Sequence, residues 1–496
     1  MNPDFSEFIS SFENTLKSVF HQRADIDTFS SQRGIPPMVM REIMDHAPLS
    51  VAIPQNYGGR GAYVKECLGV LAAASYESLP LSLTFGINIA LFLEPVAKYA
   101  DEDVKGAIFK RFLEKQQMGG LMITEPDFGS DALNMQTYNI KNDSSYTIKG
   151  TKHWQGLTGM ADYWLITSRK KNEKGELARD IDFFICDVTQ KNQHVEVEEY
   201  FDNLGLYMIP YGRNKLNLEI PEKFKLQPES TGIKMMLDIL HRSRMQFPGM
   251  GMGFIKRMLD EALLQCKNRI IGGKNLLALD QVQHQISKIQ SAFTICSAMC
   301  IRSSKTSGID KNVSSAGIEA NSMKAVITDL MQESAQLLVQ LSGSKGYRLS
   351  HIGGRGIVDS RPFQIFEGSN EMLYTQISEM VLKLMRKKKE FNLFAFLKEF
   401  NLTEKSSEYF KKDIDFSLKF DLPQRKLVDL GKALGRIISA DFVLSLIETD
   451  FRKDLIDNCI VSLQQDISKL INSYNFNSLI DSIEEYKSNS SWLQFS

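Results

Sequence analysis

The 496-residue sequence predicts an α+β protein in which a small β domain lies between helical domains. Apolar residues recur at helical spacing through residues 1–118, and short runs alternating with period two occupy residues 119–228. Helical spacing then returns and continues towards the end of the chain. We therefore predict an N-terminal helical domain (1–118), a middle antiparallel β-barrel domain (119–228), a C-terminal four-helix bundle (229–385) and an additional helical extension (386–496).

The N-terminal helices are predicted from two segments. LGVLAAASYESLPLSLTFGINIALFLEPVAKYA keeps apolar residues at helical spacing, and DEDVKGAIFKRFLEK follows with acidic residues at its start and basic residues at its end. A turn-rich interruption, IPQNYGGRG, occupies Ile53–Gly61.

The β domain is predicted from short β-type runs separated by turn clusters such as KNDS and KNEKGE. These runs are GGLMITEP, SYTIKGTKHW, DYWLITSRK, IDFFICDVT, HVEVEEY and KLNLEI. Alternating strands joined by frequent turns favour an antiparallel sheet or barrel.

The bundle begins at TGIKMMLDILHRSRM and continues past a Gly-rich break at IIGGKN. A basic hinge, Arg386–Glu390, precedes charged amphipathic helical sequence that runs to Ser496. A β domain held between helical domains predicts a cleft at their junction, which is where ligand sites preferentially form.

Composition excludes several classes of function. A net charge of −1 gives no electrostatic case for nucleic acid or an anionic membrane. The six cysteines lack CxxC spacing and the seven histidines are dispersed, so we predict reduced thiols and no metal site. The start of the chain lacks the features of a signal or transit peptide, and no run approaches ~18 apolar residues. These features predict no transmembrane segment and a cytoplasmic location.

The candidate catalytic residue is Glu367, in the run IFEGSNEM, twenty-seven residues after Gln340. A carboxylate in a Gly-Ser-Asn turn between apolar helices must be paired, hydrated or protonated. If it is unpaired, its pKa rises towards neutrality, as a general base requires. Taken alone, a Glu in such a turn is more often a solvated surface residue.

Three further segments carry candidate chemistry. The turn in ITEPDFGSD, Ile123–Asp131, can hydrogen-bond an anion or a planar heterocycle, or it is a plain β-turn. In GTKHWQG, Trp154 can pack on a flat ring or in the core. In QLSGSKGYRLSHIGGRGIVDSRPFQIFEGSN, small residues let a helix end approach a phosphate chain.

Together these segments resemble the acyl-CoA dehydrogenase family over about residues 40–385. ITEPDFGSD, KHW, QLSGSKGY, VDSR and IFEGS occur in the family's order, and IPQNYGGRG is similar to its P-x-x-YGG-x-G turn. The resemblance implies FAD as cofactor. Ile123, Thr124 and Ser130 would contact the flavin ring, Trp154 would pack beside it, and Gly156 stands where the family has a threonine bonded to flavin N5.

The resemblance also implies contacts to the rest of the cofactor. Gln340, Gly343 and Ser344 would contact the pyrophosphate and ribose. Arg269 would reach the FAD of a neighbouring subunit, and Ser369 would replace the threonine that follows Glu-Gly in the family.

For the substrate, the resemblance implies contacts from Ser130, from Gly368 and from Arg244 at the mouth of the acyl-CoA pocket. Glu367 would remove the Cα proton of an acyl-CoA, flavin N5 would accept the Cβ hydride, and the product would be a trans-2-enoyl thioester. The expected partners are an electron-transfer flavoprotein and further copies of the chain, as a homodimer or homotetramer.

Several positions depart from the family pattern and predict a divergent member with weaker FAD retention. Besides Gly156, Gly272 replaces the Phe of Arg-x-x-Phe-Gly, and Asp280 stands where Gln is usual unless the register shifts by one residue. Ser344 replaces the second glycine of a pair, and Phe128 replaces a small residue.

Three alternatives stay open at this point. An acyl-CoA oxidase would pass electrons to O2, and a related dehydrogenase would act on a carrier-protein thioester. A non-catalytic assembly or scaffold relative would use the extension, 386–496, whose helicity and length resemble those of the very-long-chain branch.

Overall fold

The computed structural model describes residues 4–23, 34–477, 481–486 and 488. Its first part is helical, as predicted. The helices are α1 (Phe5–Ser18), α2 (Pro37–Met44), α3 (Val64–Glu77), α4 (Leu79–Asn88), α5 (Glu94–Tyr99) and α6 (Glu102–Lys115). Side-chain caps fix where several begin: Asp4 accepts from the Ser6 N–H at 3.0 Å, and Ser78 accepts from the Leu81 N–H at 3.3 Å.

The stretch from α4 through a π-helical turn to α5 forms the centre of this domain. Leu79–Tyr99 has a mean hydropathy of 1.5 over its most apolar window, and 89% of that window is buried inside the fold. Among the described residues it is the one helical stretch long and apolar enough to cross a membrane. Its burial is typical of a core helix.

The middle domain is one curled sheet of seven strands. They are β1 (Gly119–Met122), β2 (Tyr138–Lys141), β3 (Ser145–Gly156), β4 (Tyr163–Lys170), β5 (Asp182–Asp187), β6 (Glu196–Tyr200) and β7 (Tyr211–Pro221). The order is β1-β4-β2-β3-β7-β6, and β5 pairs with β4.

The prediction of a wholly antiparallel barrel needs a correction. β1 and β2 both pair with β4 in parallel, while the remaining pairs of this sheet are antiparallel. Alternation assigns side chains to faces of a sheet but carries no information on strand direction, so the mixed sheet was not predictable from it.

The C-terminal bundle is formed by four long helices, which confirms the prediction. They are α7 (Gly232–Asn268), α8 (Asp280–Thr306), α9 (Gly317–Ser342) and α11 (Asn370–Lys388), with the shorter α10 (Ile352–Ser360) before the last. A short hairpin whose two strands have two residues each, β8 (Ile270–Ile271) and β9 (Lys274–Asn275), joins α7 to α8.

The extension adds α12 (Leu393–Lys398), α13 (Lys411–Ile414), α14 (Gln424–Leu444) and α15 (Lys453–Asn475). Helix α14 packs against α8, α9, α11 and α15, and α15 packs against α8. The extension therefore covers one face of the bundle. The last part of the helical stretch predicted to run to Ser496 lies outside the described residues.

Candidate active site

The centre of the candidate site is a turn between α10 and α11, here called the Glu367 turn (Phe366–Asn370). Glu367 has φ +53° and Gly368 has φ +91°. The first value is uncommon for a residue with a side chain, and such conformations persist where the surrounding structure holds them. The φ of Gly368 lies in a region that favours glycine, so a side chain at the second position would strain the backbone.

The Glu367 carboxyl group is held on one side only. Ser243, on α7, donates from its hydroxyl to Glu367 Oε1 at 2.8 Å. Oε2 is buried and has no hydrogen-bond partner among the described residues. A buried acceptor without a partner is costly, so this oxygen is a candidate contact for a bound molecule.

Two buried cations hold the backbone of the Glu367 turn. Arg244, on α7, donates to the Glu367 carbonyl from Nε at 3.2 Å and from Nη2 at 2.8 Å. Its Nη1 donates to Asn321 Oδ1 at 2.7 Å. Lys324, on α9 and fully buried, donates to the Gly368 carbonyl at 2.8 Å. Consecutive carbonyls are thus fixed from two different helices.

These neighbours set the protonation of the site. Burial raises the pKa of Glu367, and the positive charges of Arg244 and Lys324 and the Ser243 hydrogen bond oppose that rise. Burial lowers the pKa of Lys324 to about 7 against the attraction of Glu367. A carboxyl group whose pKa is raised above its usual range has the basicity that proton abstraction requires.

The N-terminus of α11 completes the turn. The Ser369 hydroxyl accepts from the Met372 N–H at 3.4 Å and so caps the helix. Asn370 Oδ1 accepts from Lys324 Nζ at 3.0 Å. The sequence-predicted residues Glu367, Gly368, Ser369 and Arg244 therefore lie together.

A second group surrounds the end of β3 and is called the Trp154 face (Ile123–Glu125 and Lys152–Gly156). Lys152 is fully buried and donates to Ile123 O at 3.0 Å and to Glu125 Oε1 at 3.0 Å. Glu125 also accepts from the Thr137 N–H at 2.9 Å. This buried ion pair joins the ITEP segment to β3.

Trp154 lies at an irregularity of β3 and has φ +61°. Its side chain is 50% exposed, and its ring centroid lies 4.6 Å from that of Phe201. On either side of it, His153 Nδ1 and Gln155 Oε1 are buried without a hydrogen-bond partner among the described residues. The half-exposed indole offers a flat surface that fits a planar ring, and the two unsatisfied atoms of the adjacent residues are further candidate contacts.

The neighbours of Gly156 leave little space for a side chain at this position. A methyl group there would lie 3.1 Å from Ile87 Cδ1 and 3.3 Å from Tyr211 Cε1. The ring of Tyr211 and the helix α4 thus occupy space that a threonine side chain would need. This packing gives the sequence departure at Gly156 a physical reason.

A third group lies at the end of α9. Gly343 ends the helix with φ +64°, and the Arg269 guanidinium lies 3.3 Å from the position of a methyl group on it. Gln340 and Ser344 are exposed beside it. Ser342 Oγ is buried without a partner among the described residues. A cation, a glycine and an unsatisfied hydroxyl together fit an anionic group such as a pyrophosphate.

Gly272 also has a local explanation. With φ +58° at Gly272 and +80° at Gly273, the two residues form the tight turn between β8 and β9. A phenylalanine could not adopt the first of these conformations without strain, so glycine suits this hairpin turn.

The three groups are separate in the structure. Ser130, predicted to contact both flavin and substrate, is exposed in the turn that follows the Trp154 face. Helix α4 packs against both the end of β3 and α7, because Ile87 Cδ1 lies 3.1 Å from a methyl position on Gly156 and Met250 Sδ lies 3.4 Å from one on Gly86. Arg244 is 7% exposed and engaged by Glu367 and Asn321, so its guanidinium is buried in the bundle rather than at an open mouth.

Sequence reasoning missed four residues that build these groups: Ser243, Lys324, Glu125 and Lys152. A lysine within the apolar run ANSMKAVITDLM is a signal for Lys324, because a buried ammonium group needs polar partners. Ser243 offered no comparable signal.

The chain therefore has a three-domain architecture, in which a β domain lies between helical domains and a partly buried carboxylate lies in the second helical domain. Family models for the acyl-CoA dehydrogenase N-terminal, middle and C-terminal domains match residues 6–116, 120–217 and 230–382. The chain belongs to the acyl-CoA dehydrogenase family. The family resemblance and the α+β fold inferred from the sequence are confirmed.

Individual relatives are distant. The chain is 23% identical over 352 residues to an acyl-CoA dehydrogenase of Bacillus subtilis, covering 70% of this chain and 90% of the relative. An acyl-CoA dehydrogenase complexed with FAD from Bacillus anthracis has a similar structure, with a TM-score of 0.76 at 15% identity. That similarity covers 96% of this chain and 88% of the other.

Another similar structure is the prolyl acyl carrier protein oxidase AnaB, with a TM-score of 0.69 at 15% identity. It covers 77% of this chain and 99% of the AnaB chain. Similarity at this level of identity establishes the fold and leaves the substrate to be argued from the site.

Proposed function

We propose that the protein is an FAD-dependent dehydrogenase that oxidises the Cα–Cβ bond of an acyl-CoA thioester to the trans-2-enoyl thioester. One observation carries the proposal. Glu367 presents a buried carboxyl oxygen that has no partner among the described residues, from a turn whose backbone is fixed by two buried cations. Belonging to the acyl-CoA dehydrogenase family supports the same assignment.

The residues present fit the cofactor. The Trp154 ring and its unsatisfied neighbours would hold the flavin ring system, and Arg269, Gln340, Gly343 and Ser344 would hold the phosphate and ribose part. When bound, FAD supplies the acceptor for the hydride that leaves Cβ. Trp154 and Arg269 are exposed, as expected for residues that a bound ligand or a second copy of the chain would cover.

Glu367 acts as the base in this proposal. Ser243 orients Oε1, so Oε2 is the oxygen available to take the Cα proton. Burial keeps the carboxyl group basic, and Arg244 and Lys324 limit how far its pKa rises. The raised pKa predicts that activity falls as pH falls and Glu367 becomes protonated.

The test is Glu367→Gln with anaerobic reduction of the bound flavin by saturated acyl-CoAs of increasing length. We expect FAD to be retained and the rate of reduction to fall by about 10²–10⁴-fold, the range for loss of a general base. Glu379→Gln, at an exposed position of α11, is the matched control and should leave the rate unchanged. Undiminished reduction in Glu367→Gln would refute the assignment.

The carrier and the electron acceptor complete the proposal. We propose coenzyme A as carrier and an electron-transfer flavoprotein as acceptor, in a homo-oligomer with the predicted cytoplasmic location. Rapid formation of hydrogen peroxide in air would instead identify an oxidase, and reduction only by a carrier-protein thioester would change the carrier. A purified protein without flavin that cannot be reconstituted would favour a scaffold.

A further inference from the structure

The C-terminal extension packs closely against Tyr374 of α11. A methyl group on Gly431 of α14 would lie 2.0 Å from the Tyr374 carbonyl oxygen, so only glycine permits this approach. One turn later, a methyl group on Gly435 would lie 3.1 Å from Val326 Cγ2, a tight contact to a side-chain end. Ser378 Oγ donates to the Leu427 carbonyl at 2.7 Å, which adds a polar tie between α11 and α14.

The hydroxyl of Tyr374 connects the residue that α14 contacts to a hydrogen-bond network in the bundle. Tyr374 is 1% exposed and donates to Asp329 Oδ2 on α9 at 2.7 Å. Asp329 Oδ1 accepts from Asn370 Nδ2 at 2.7 Å and from Gln364 Nε2 at 2.7 Å. Gln364, which precedes the Glu367 turn, and Asn370, its last residue, therefore both donate to the Asp329 carboxylate that also accepts from Tyr374.

Asn370 carries the connection into the turn itself. Its Oδ1 accepts from Lys324 Nζ at 3.0 Å, and Lys324 also donates to the Gly368 carbonyl at 2.8 Å. Thr328 Oγ1 accepts from Asn370 Nδ2 at 2.9 Å, so the amide is held on both of its sides. Buried networks whose members are satisfied in this way are rigid and specify one arrangement.

We propose that the C-terminal extension positions the catalytic base: α14 fixes Tyr374, and the chain Tyr374–Asp329–Asn370–Lys324 fixes the Glu367 turn. This inference rests on the proposed function, in which Glu367 is the base. Tyr374 and Asp329 are positioning residues that do not touch substrate. The extension is then part of the catalytic architecture as well as a cover for the apolar face of the bundle.

The experiment compares the full-length holoprotein with Tyr374→Phe and Gly431→Ala, and with Gln424→Ala, at an exposed position of the same helix, as the control. Tyr374→Phe keeps the ring and removes the hydroxyl that bonds Asp329. Gly431→Ala displaces α14 from Tyr374. Two quantities are measured: amide hydrogen exchange of residues 365–373 relative to strand β4, and the rate and KM of anaerobic flavin reduction by acyl-CoA.

In Tyr374→Phe and Gly431→Ala we expect faster exchange at 365–373 with β4 unchanged, and reduction slowed by about tenfold at nearly constant KM, since small misplacement of a reacting group is costly. FAD content should be unchanged in all variants, and Gln424→Ala should match the wild type in exchange and rate. Wild-type exchange and rates in Gly431→Ala would overturn the proposal and leave the extension a purely stabilising role, even where Tyr374→Phe is impaired, because Tyr374 and Asp329 both lie in the bundle.

If Gly431→Ala fails to fold, Ser378→Ala decides in its place, because it removes the hydrogen bond from α11 to the Leu427 carbonyl of α14 without adding a side-chain atom. The same faster exchange and slower reduction are then expected. If no thioester reduces the wild-type flavin, the proposed function fails, and the exchange measurement still decides whether the extension holds the Glu367 turn.

Discussion

The Glu367 turn and the Trp154 face contribute to the same proposed reaction, yet they are built differently. In the turn, Arg244 and Lys324 bind the Glu367 and Gly368 carbonyls, and among the described residues the Glu367 Oε2 atom has no hydrogen-bond partner. In the Trp154 face, the indole is half exposed, and two buried side-chain atoms next to it in sequence also have no partner in the described part of the chain. The difference indicates that the chain itself preorganises the base, whereas the cofactor side is completed by what binds there.

The largest effect is expected from Lys152→Met, which tests how the Trp154 face is held together. Lys152 is the one buried cation among the described residues that pairs with Glu125, and it also donates to Thr167 Oγ1 at 3.1 Å. Its removal leaves a buried carboxylate unpaired, which costs about 3–5 kcal/mol. We expect that loss in the free energy of unfolding from urea denaturation, together with loss of bound FAD.

Lys149→Met is the control for Lys152→Met, because Lys149 is exposed on the same strand. A loss of FAD without a loss of stability would mean that Lys152 serves the cofactor rather than the internal structure of the Trp154 face. A loss of neither would contradict the view that the ion pair supports this face.

The same contrast explains what the sequence could predict of the fold. Helical and alternating periodicities identified the order of the domains, because both reflect which side chains are buried. They could not reveal that β1 and β4 pair in parallel, since direction depends on long-range packing. The strand β2 (Tyr138–Lys141) was missed because its polar Asn139 is buried and its apolar Ile140 is exposed, the reverse of the usual alternation.

In the site, the sequence identified residues that stand in recognisable turns and missed residues that act from helix interiors. Glu367 lies in a Gly-Ser-Asn turn that breaks the helical pattern. Ser243 and Lys324 lie inside α7 and α9, where their direction depends on how the helices pack. Gly156 and Gly272 were recognised as departures, but their causes, the Tyr211 ring and the hairpin turn, required the structure.

A smaller effect is expected from Lys324→Met, which weakens the preorganisation of the turn. Lys324 as a cation lowers the pKa of Glu367, so its removal raises that pKa, and the acid limb of the pH–rate profile should move to higher pH. Near neutral pH we expect a rate loss of about tenfold, from this shift and from the unpaired Gly368 carbonyl. The measurement is the pH dependence of flavin reduction.

The high-pH limb of the pH–rate profile tests the direction of this electrostatic effect. Because the pKa of Lys324 is itself lowered by burial to about 7, its charge is lost well above that pH and its electrostatic effect disappears. Arg244 remains charged against Glu367 in both proteins, while Asp329 and Glu371 face Lys324. Lys383→Met, exposed on α11, should leave the profile unchanged. A shift to lower pH in Lys324→Met would contradict the electrostatic role.

The smallest effect is expected from a substitution that separates two roles of Ser369. This residue was predicted to contact the cofactor, and in the structure it caps α11. Its hydroxyl accepts from the Met372 N–H and keeps a proton to donate. Ser369→Ala should cost about 1 kcal/mol of unfolding free energy in the apoprotein through loss of the cap. Ser369→Thr keeps the hydroxyl and is the control. If the hydroxyl also donates to FAD, the loss is larger in the holoprotein, and equal losses in the two forms would limit Ser369 to the helix cap.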